Sequence, residues 1–228
     1  MTAASRWDAA YRGEPPPWEI DRPQPVVERI AAADGFRGDV LDAGCGTGEN
    51  ALFLAARGLA VTGIDWSALA TERARAKATD RGLDVRFEQA DALSLDALGA
   101  SFDSVLDCGL FHTFEDPERA RYVVSLASVV RRRGVLHVLC FSDREPWSGG
   151  PRRVTQAEIR ASFADGWTVR AIEPEIFATR IHDGGALAWH ATIERVGIVN
   201  ARPMGLKPGL DLDDIEGLLD RVEGPVRR

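Results

Sequence analysis

The sequence predicts an α/β fold: an open, mostly parallel sheet with helices on both faces. Three observations carry that expectation. Short apolar runs beginning near residues 39, 60, 84, 102 and 135 alternate with helical stretches, the order that builds parallel strands joined by crossover helices. The first run ends at Asp42 and turns through Gly44, Gly46 and Gly48 into a helical stretch; in such sheets ligands bind at the carboxyl ends of the strands. The run at 135–142 is almost wholly apolar, as a central strand covered on both faces requires.

The glycine turn is the centre of the chain. Glycine lets the backbone take φ > 0 and lets a ligand approach closely. About twenty residues on, a second apolar run ends at Asp65, placed to accept hydrogen bonds from ribose hydroxyls. A dinucleotide fingerprint would read G-x-G-x-x-G, but the third glycine comes one residue early and Glu49 stands in its place. A pyrophosphate disfavours that carboxylate at a helix N-terminus, so a nicotinamide-dependent reductase conflicts with the turn. Asp42 and Glu49 suit a ligand with a cationic portion. A turn serving only strand–helix packing is the bland alternative.

The motif D-x-G-x-G-x-G closely resembles the first motif of class I S-adenosylmethionine-dependent methyltransferases, and the resemblance covers residues 38 to about 197. It implies a Rossmann-like, seven-stranded, mostly parallel sheet whose seventh strand is antiparallel. It implies S-adenosyl-L-methionine as cofactor, S-adenosyl-L-homocysteine as product, and no metal. The cofactor-binding set it implies is Asp42, Gly44, Cys45, Gly46, Gly48 and Asn50 in the turn and Asp65 at the ribose. Asp107 and Cys108 fall at the amino-acid end. Trp66 either lies against adenine or packs on the next helix. Asp91 and Ala92 match the place that meets the adenine amino group, although an Asp there also serves as a turn former or helix cap.

Length and composition narrow the classes. A chain of 228 residues fits one domain with a full core, and 45% apolar residues is ordinary for a globular protein. A net charge of −7 argues against a nucleic-acid partner, which needs a basic face. The three cysteines lie in apolar or glycine-rich runs without C-x-x-C spacing, so neither a disulfide framework nor a zinc site is expected, and a cytoplasmic location is. No apolar run reaches the roughly 18 residues of a membrane span. The expected organisation is an N-terminal lid or cap at 1–37, a cofactor-binding domain at 38–197, and a linker with a final amphipathic helix at 198–228. That helix carries Ile215, Leu218, Leu219 and Val222 on one side and could dock on its own domain or a second subunit, leaving monomer and homodimer open.

In order, residues 5–25 combine Trp7, Tyr11 and Trp18 with a triple proline, which forces an extended path. They form either a lid over cofactor and acceptor or a clasp over the core. The pattern W-D-x-x-Y-x-G followed by P-P-W-x-x-x-x-P-x-P resembles the N-terminus of the thiopurine, thiol and halide branch of small-molecule methyltransferases. Residues 26–31 are a short amphipathic helix. The helix after the glycine turn stops at Gly58, and the next, from Ser67, stops at Gly82. Asp116 and Pro117 open a helix as N-cap and first residue, and Arg131, Arg132 and Arg133 close it near its negative end. Thr155 and Glu158 form a capping box for another helix. Runs at 167–178 and 185–196 read as an antiparallel hairpin at one sheet edge, giving the sheet a reversed edge strand.

Methyl transfer from a sulfonium is an in-line displacement in which the protein aligns the partners, excludes water and, where necessary, removes a proton. His112, in the loop after the fourth strand, is the candidate base, its pKa near neutrality; local packing is the other reading. Trp7, Tyr11, Trp18, Phe111, His112 and Trp147 are the expected substrate-binding residues, with Phe114 beside them. His137, His182 and His190 have no spaced partners, so none reads as a metal ligand. The resemblance implies a small-molecule acceptor: a thiol, halide or other soft nucleophile, with a phenol or quinol as the alternative. A non-catalytic cofactor-binding protein is the third reading.

Overall fold

The computed structural model describes residues 3–197. Seven strands form one sheet: β1 (Asp39–Ala43), β2 (Ala60–Asp65), β3 (Arg86–Gln89), β4 (Phe102–Cys108), β5 (Val130–Phe141), β6 (Trp167–Phe177) and β7 (Ala186–Arg195), in the order β3-β2-β1-β4-β5-β7-β6. β1 to β5 pair in parallel, while β7 is antiparallel to both β5 and β6. The helices are α1 (Ala3–Ala10), α2 (Pro25–Ala32), α3 (Glu49–Ala56), α4 (Ala68–Arg81), α5 (Asp116–Val129) and α6 (Gln156–Ser162), with 3₁₀ segments at Ala92–Leu98 and Phe111–Thr113.

Alternation along the strands builds two core layers. On β1, β4 and β5, Leu41, Val105, Val138 and Cys140 enter one buried cluster, while their neighbours Val40, Leu106 and Leu139 enter the other. Successive side chains point to opposite faces, so helices must cover both.

Local signals set the helix ends. Ser67 caps α4 through its hydroxyl, which accepts the Ala70 N–H, and Gly82 ends it in the left-handed region. Both halves of the Thr155–Glu158 capping box are present at α6.

Three boundaries differ from the sequence expectation. Glu115, not Asp116, is the N-cap of α5, in a capping box with Glu118; a carboxylate at either position satisfies the orphan N–H groups. The arginine run does not close α5. The helix ends at Val129, and Arg131–Arg133 open β5, where Arg131 pairs with Asp39 and Asp103. The reversed strand is not at the edge: β7 lies between β5 and β6, and β6 is outermost.

That last difference matters for the site. Because β6 is antiparallel to β7, its carboxyl end at Phe177 lies on the same side of the sheet as those of β1, β2, β4 and β5. Among the described residues no helix is long and apolar enough to cross a membrane. The expected linker and final helix at 198–228 lie outside the described residues.

Candidate active site

A cavity of about 310 Å³ opens over the carboxyl ends of the strands. Its floor is the glycine turn. Gly44, Gly46 and Gly48 have φ of 75°, 55° and 87°, a region that L side chains rarely adopt. Gly44 packs against Leu110, where an added Cβ would come within 3.1 Å, and Gly48 against Phe87, at 2.7 Å. The turn is braced from β2: the Gly46 N–H donates to Asp65 Oδ2 at 3.0 Å, and the Ser67 N–H to Asp65 Oδ1 at 2.8 Å.

The expected cofactor residues separate into two groups. Gly44, Cys45, Gly46, Asn50, Asp65, Trp66, Ala92 and Cys108 line the cavity. Asp42, Gly48, Asp91 and Asp107 do not. Asp91 caps the Ala92–Leu98 segment, its Oδ1 accepting the Leu93 N–H at 2.8 Å. Asp107 Oδ1 accepts the Leu110 and Phe111 N–H groups at 2.9 and 3.1 Å, holding the loop after β4. Burial raises its pKa to about 6, against the pull of those two donors.

Asp42, at the end of β1, is fully buried, and neither carboxylate oxygen is met by a well-formed hydrogen bond among the described residues. Burial, reinforced by the Asp65 carboxylate, raises its pKa to about 7. An unmet buried carboxylate is costly unless a cation or donor comes to it.

The N-terminal segment roofs the cavity. Trp7, Tyr11 and Trp18 all line it. The Trp18 indole N–H donates to the Tyr11 hydroxyl at 3.0 Å, and the Trp7 and Trp18 rings meet edge-on at 6.0 Å. The segment is tied down at both ends. Asp8 Oδ1 accepts the Ser67 hydroxyl at 2.6 Å. Gln24 exchanges two 2.9 Å hydrogen bonds with the backbone of Ala178, and its own N–H donates to Asn50 Oδ1. The Arg180 N–H donates to the Pro17 carbonyl at 2.8 Å.

Of the other expected acceptor residues, His112, Trp147 and Phe114 line the cavity. Phe111 does not, which corrects the expectation. Its ring is fully buried, stacked on Phe163 with the Arg119 guanidinium 4.4 Å above it. In the Phe111–Thr113 turn neighbouring side chains diverge, so His112 faces the cavity and Phe111 the core. His112 is poorly suited to remove a proton. Its Nδ1 accepts the Phe141 N–H at 2.9 Å, and burial, with the Arg153 and Arg119 cations, lowers its pKa to about 3.

Sequence reasoning missed Glu19, Gln24, Phe141, Phe177 and His182 on the wall. Phe141 and Phe177 end two strands, and a strand terminus beside the glycine turn was the available signal. Glu19 and Gln24 carried none in isolation. Among the described residues no cluster of His, Cys, Asp and Glu could hold a metal ion.

Comparison with known proteins gives the same direction. A family model described as a methyltransferase domain matches residues 40–134. The 2-heptyl-1-hydroxyquinolin-4(1H)-one methyltransferase of Mycobacteroides abscessus is 34% identical over 193 residues, spanning 79% of this chain and 85% of the relative. A protein of Arabidopsis thaliana named as a probable thiol methyltransferase 2 is 26% identical over 67% of this chain and 68% of its own length. A solved structure from work on conversion of a disulfide bond into a thioacetal group during echinomycin biosynthesis is 34% identical. It covers 96% of this chain and 99% of that one, with a TM-score of 0.78.

Proposed function

The chain belongs to the class I S-adenosylmethionine-dependent methyltransferases, and from that premise we propose that it methylates a small, apolar, ring-bearing acceptor at a soft nucleophile, foremost a thiol. Membership sets aside the reductase reading. The residues fit the cofactor. Asp42 is a fully buried carboxylate behind the turn, approached by the Ala51 N–H but without a well-formed hydrogen bond, and its charge suits a ligand that carries a sulfonium and an ammonium; the glycines leave room for close approach. When bound, S-adenosylmethionine supplies an electrophilic methyl group on a good leaving group.

In this reading Gly44, Cys45, Gly46 and Asn50 hold the amino-acid end, with Asp42 behind them as counter-charge and Cys108 and Asp107 alongside. Asp65 accepts from the ribose, and Trp66 and Ala92 flank the adenine. Gly48 and Asp91 act indirectly, by shaping the turn and capping the adjoining segment. Trp7, Tyr11 and Trp18 exclude water as a lid, and Phe114, Phe141, Phe177 and Trp147 orient the acceptor. His112 positions the end of β5 through Phe141.

One observation carries the choice of acceptor: eight tryptophan, tyrosine and phenylalanine residues stand on the wall, and the histidine beside the β4 loop is held neutral with its Nδ1 already engaged. A thiol ionises readily near neutral pH and is strongly nucleophilic without a fixed base. The second reading, an aromatic hydroxyl, draws on the 34% likeness to the hydroxyquinolone methyltransferase. Turnover of labelled S-adenosylmethionine with aromatic thiols, iodide, phenols and a hydroxyquinolone ranks the classes. A specificity constant for hydroxylated rings above that for thiols reverses the preference.

A further inference from the structure

One imidazole on the cavity wall remains unassigned. His182 follows β6, on the stretch that carries Arg180 against the N-terminal segment. The Thr179 hydroxyl oxygen accepts the His182 backbone N–H at 3.1 Å and lies 2.9 Å from the His182 Nδ1. The Trp147 ring meets the imidazole edge-on at 4.7 Å. The ring is half-buried, and its Nε2 makes no hydrogen bond among the described residues. The other histidines are committed: His112 to the Phe141 N–H, and His137 to His190 and the Gly35 carbonyl.

A hydroxyl oxygen has two acceptor lone pairs. In the tautomer whose Nδ1–H donates to the Thr179 oxygen, beside the backbone N–H, the Nε2 lone pair is free. We propose that His182, oriented by Thr179 and Trp147, is the general base that lets this enzyme methylate aromatic hydroxyls. The proposal rests on the methyltransferase reading of this cavity and adds hydroxylated rings to its range. As the acceptor oxygen bonds the methyl carbon, its proton passes to His182 Nε2. The electron pair of the breaking carbon–sulfur bond stays on sulfur, and the proton leaves from the half-buried ring to solvent. The charged groups near the imidazole are Glu145, whose oxygens accept the Trp147 and Leu187 N–H groups, Arg153 beside Glu145, and Arg180 and Asp183 in the same loop; Arg22 and Glu118 also line the cavity.

The test compares wild type, His182→Gln, Thr179→Val and Thr179→Ser on hydroquinone, which is protonated at neutral pH, and 4-nitrothiophenol, which is ionised. A positioned base contributes about 10²-fold or more. His182→Gln is expected to lower kcat/KM for hydroquinone about 100-fold more than for the thiol and to remove the acid limb of the hydroquinone pH profile. Thr179→Val should lose about tenfold on hydroquinone, and Thr179→Ser should restore it. Equal losses on both acceptors, or an unchanged hydroquinone pH profile, overturn the proposal. Wild-type turnover of the thiol alone overturns it too while leaving the function above intact; turnover of neither overturns both.

Discussion

Glu19 and Thr47 close the N-terminal segment onto the glycine turn: the Glu19 carboxylate accepts the Thr47 N–H at 3.1 Å and the Thr47 hydroxyl as well. Lys77 donates to the same hydroxyl at 2.6 Å and pairs with Glu49 at 2.9 Å, so roof, turn and α4 share one polar junction. Glu19→Gln keeps the shape and removes the charge. Hydrogen bonds to charged groups contribute about 1.5–3 kcal/mol, here reduced by partial exposure. Cofactor affinity by calorimetry should weaken roughly tenfold, and trypsin should cut faster at Arg12, which precedes Gly13. Unchanged affinity and cleavage would mean that the segment stays closed without this junction.

Cofactor binding should release a proton. The Asp42 pKa of about 7 stands above its ordinary 3.8 because burial and Asp65 disfavour the charge. Between those values the folded chain holds the proton longer than the unfolded one, so this group's contribution to stability falls as pH rises through that window. His112 and His137, lowered by burial to about 3 and 4, act in the opposite sense, which flattens the stability profile of the free protein. A cationic ligand favours ionised Asp42, so affinity should rise from pH 6 to 8 with release of up to about one proton. Calorimetry in buffers of different ionisation enthalpy reads this, and Asp42→Asn should abolish it.

Two glycine substitutions separate strain from obstruction. At Gly46, φ is 55° and an added Cβ would stand 2.8 Å from Glu19 Oε1 and 3.0 Å from the Tyr11 hydroxyl. At Gly58, φ is 87° but nothing lies within 4 Å. Both alanine variants carry left-handed strain of about 1–3 kcal/mol, visible as a lower Tm. Gly46→Ala alone should also weaken cofactor binding about tenfold or more, because the roof can no longer seat on the turn. Equal affinities in the two variants would contradict this.

His112→Ala leaves the buried Phe141 N–H without its partner, a loss of about 1–3 kcal/mol, whereas His112→Asn offers an amide oxygen in its place. If His112 acts by holding β5, the asparagine variant recovers most of the alanine variant's loss in both Tm and thiol turnover. If turnover collapses equally in both while Tm recovers in the asparagine variant, His112 acts on the acceptor directly.

The sheet was legible because its signals are local. The apolar runs, Gly58, Gly82 and the Thr155 box each declare an element within a few residues, and the turn at Gly44–Gly48 declares the cofactor. What the sequence could not supply is which side chains converge. Phe111 and His112 are adjacent, and only the tight Phe111–Thr113 turn decides which one meets the cavity. Glu19 resembles any exposed acid until the chain folds back across 28 positions to Thr47. Arg131–Arg133 carry charges that suit a helix end and an exposed strand start equally well, so periodicity could not choose between them.

The doubled bond between Gln24 and Ala178 joins positions 154 residues apart, and β7, made after β6, is the strand that anchors β6 to the sheet. On the ribosome, the glycine turn emerges early, but the wall facing it has no anchorage until Arg195 has left the exit tunnel. The enclosed chamber is therefore among the last parts of the described fold whose residues are made.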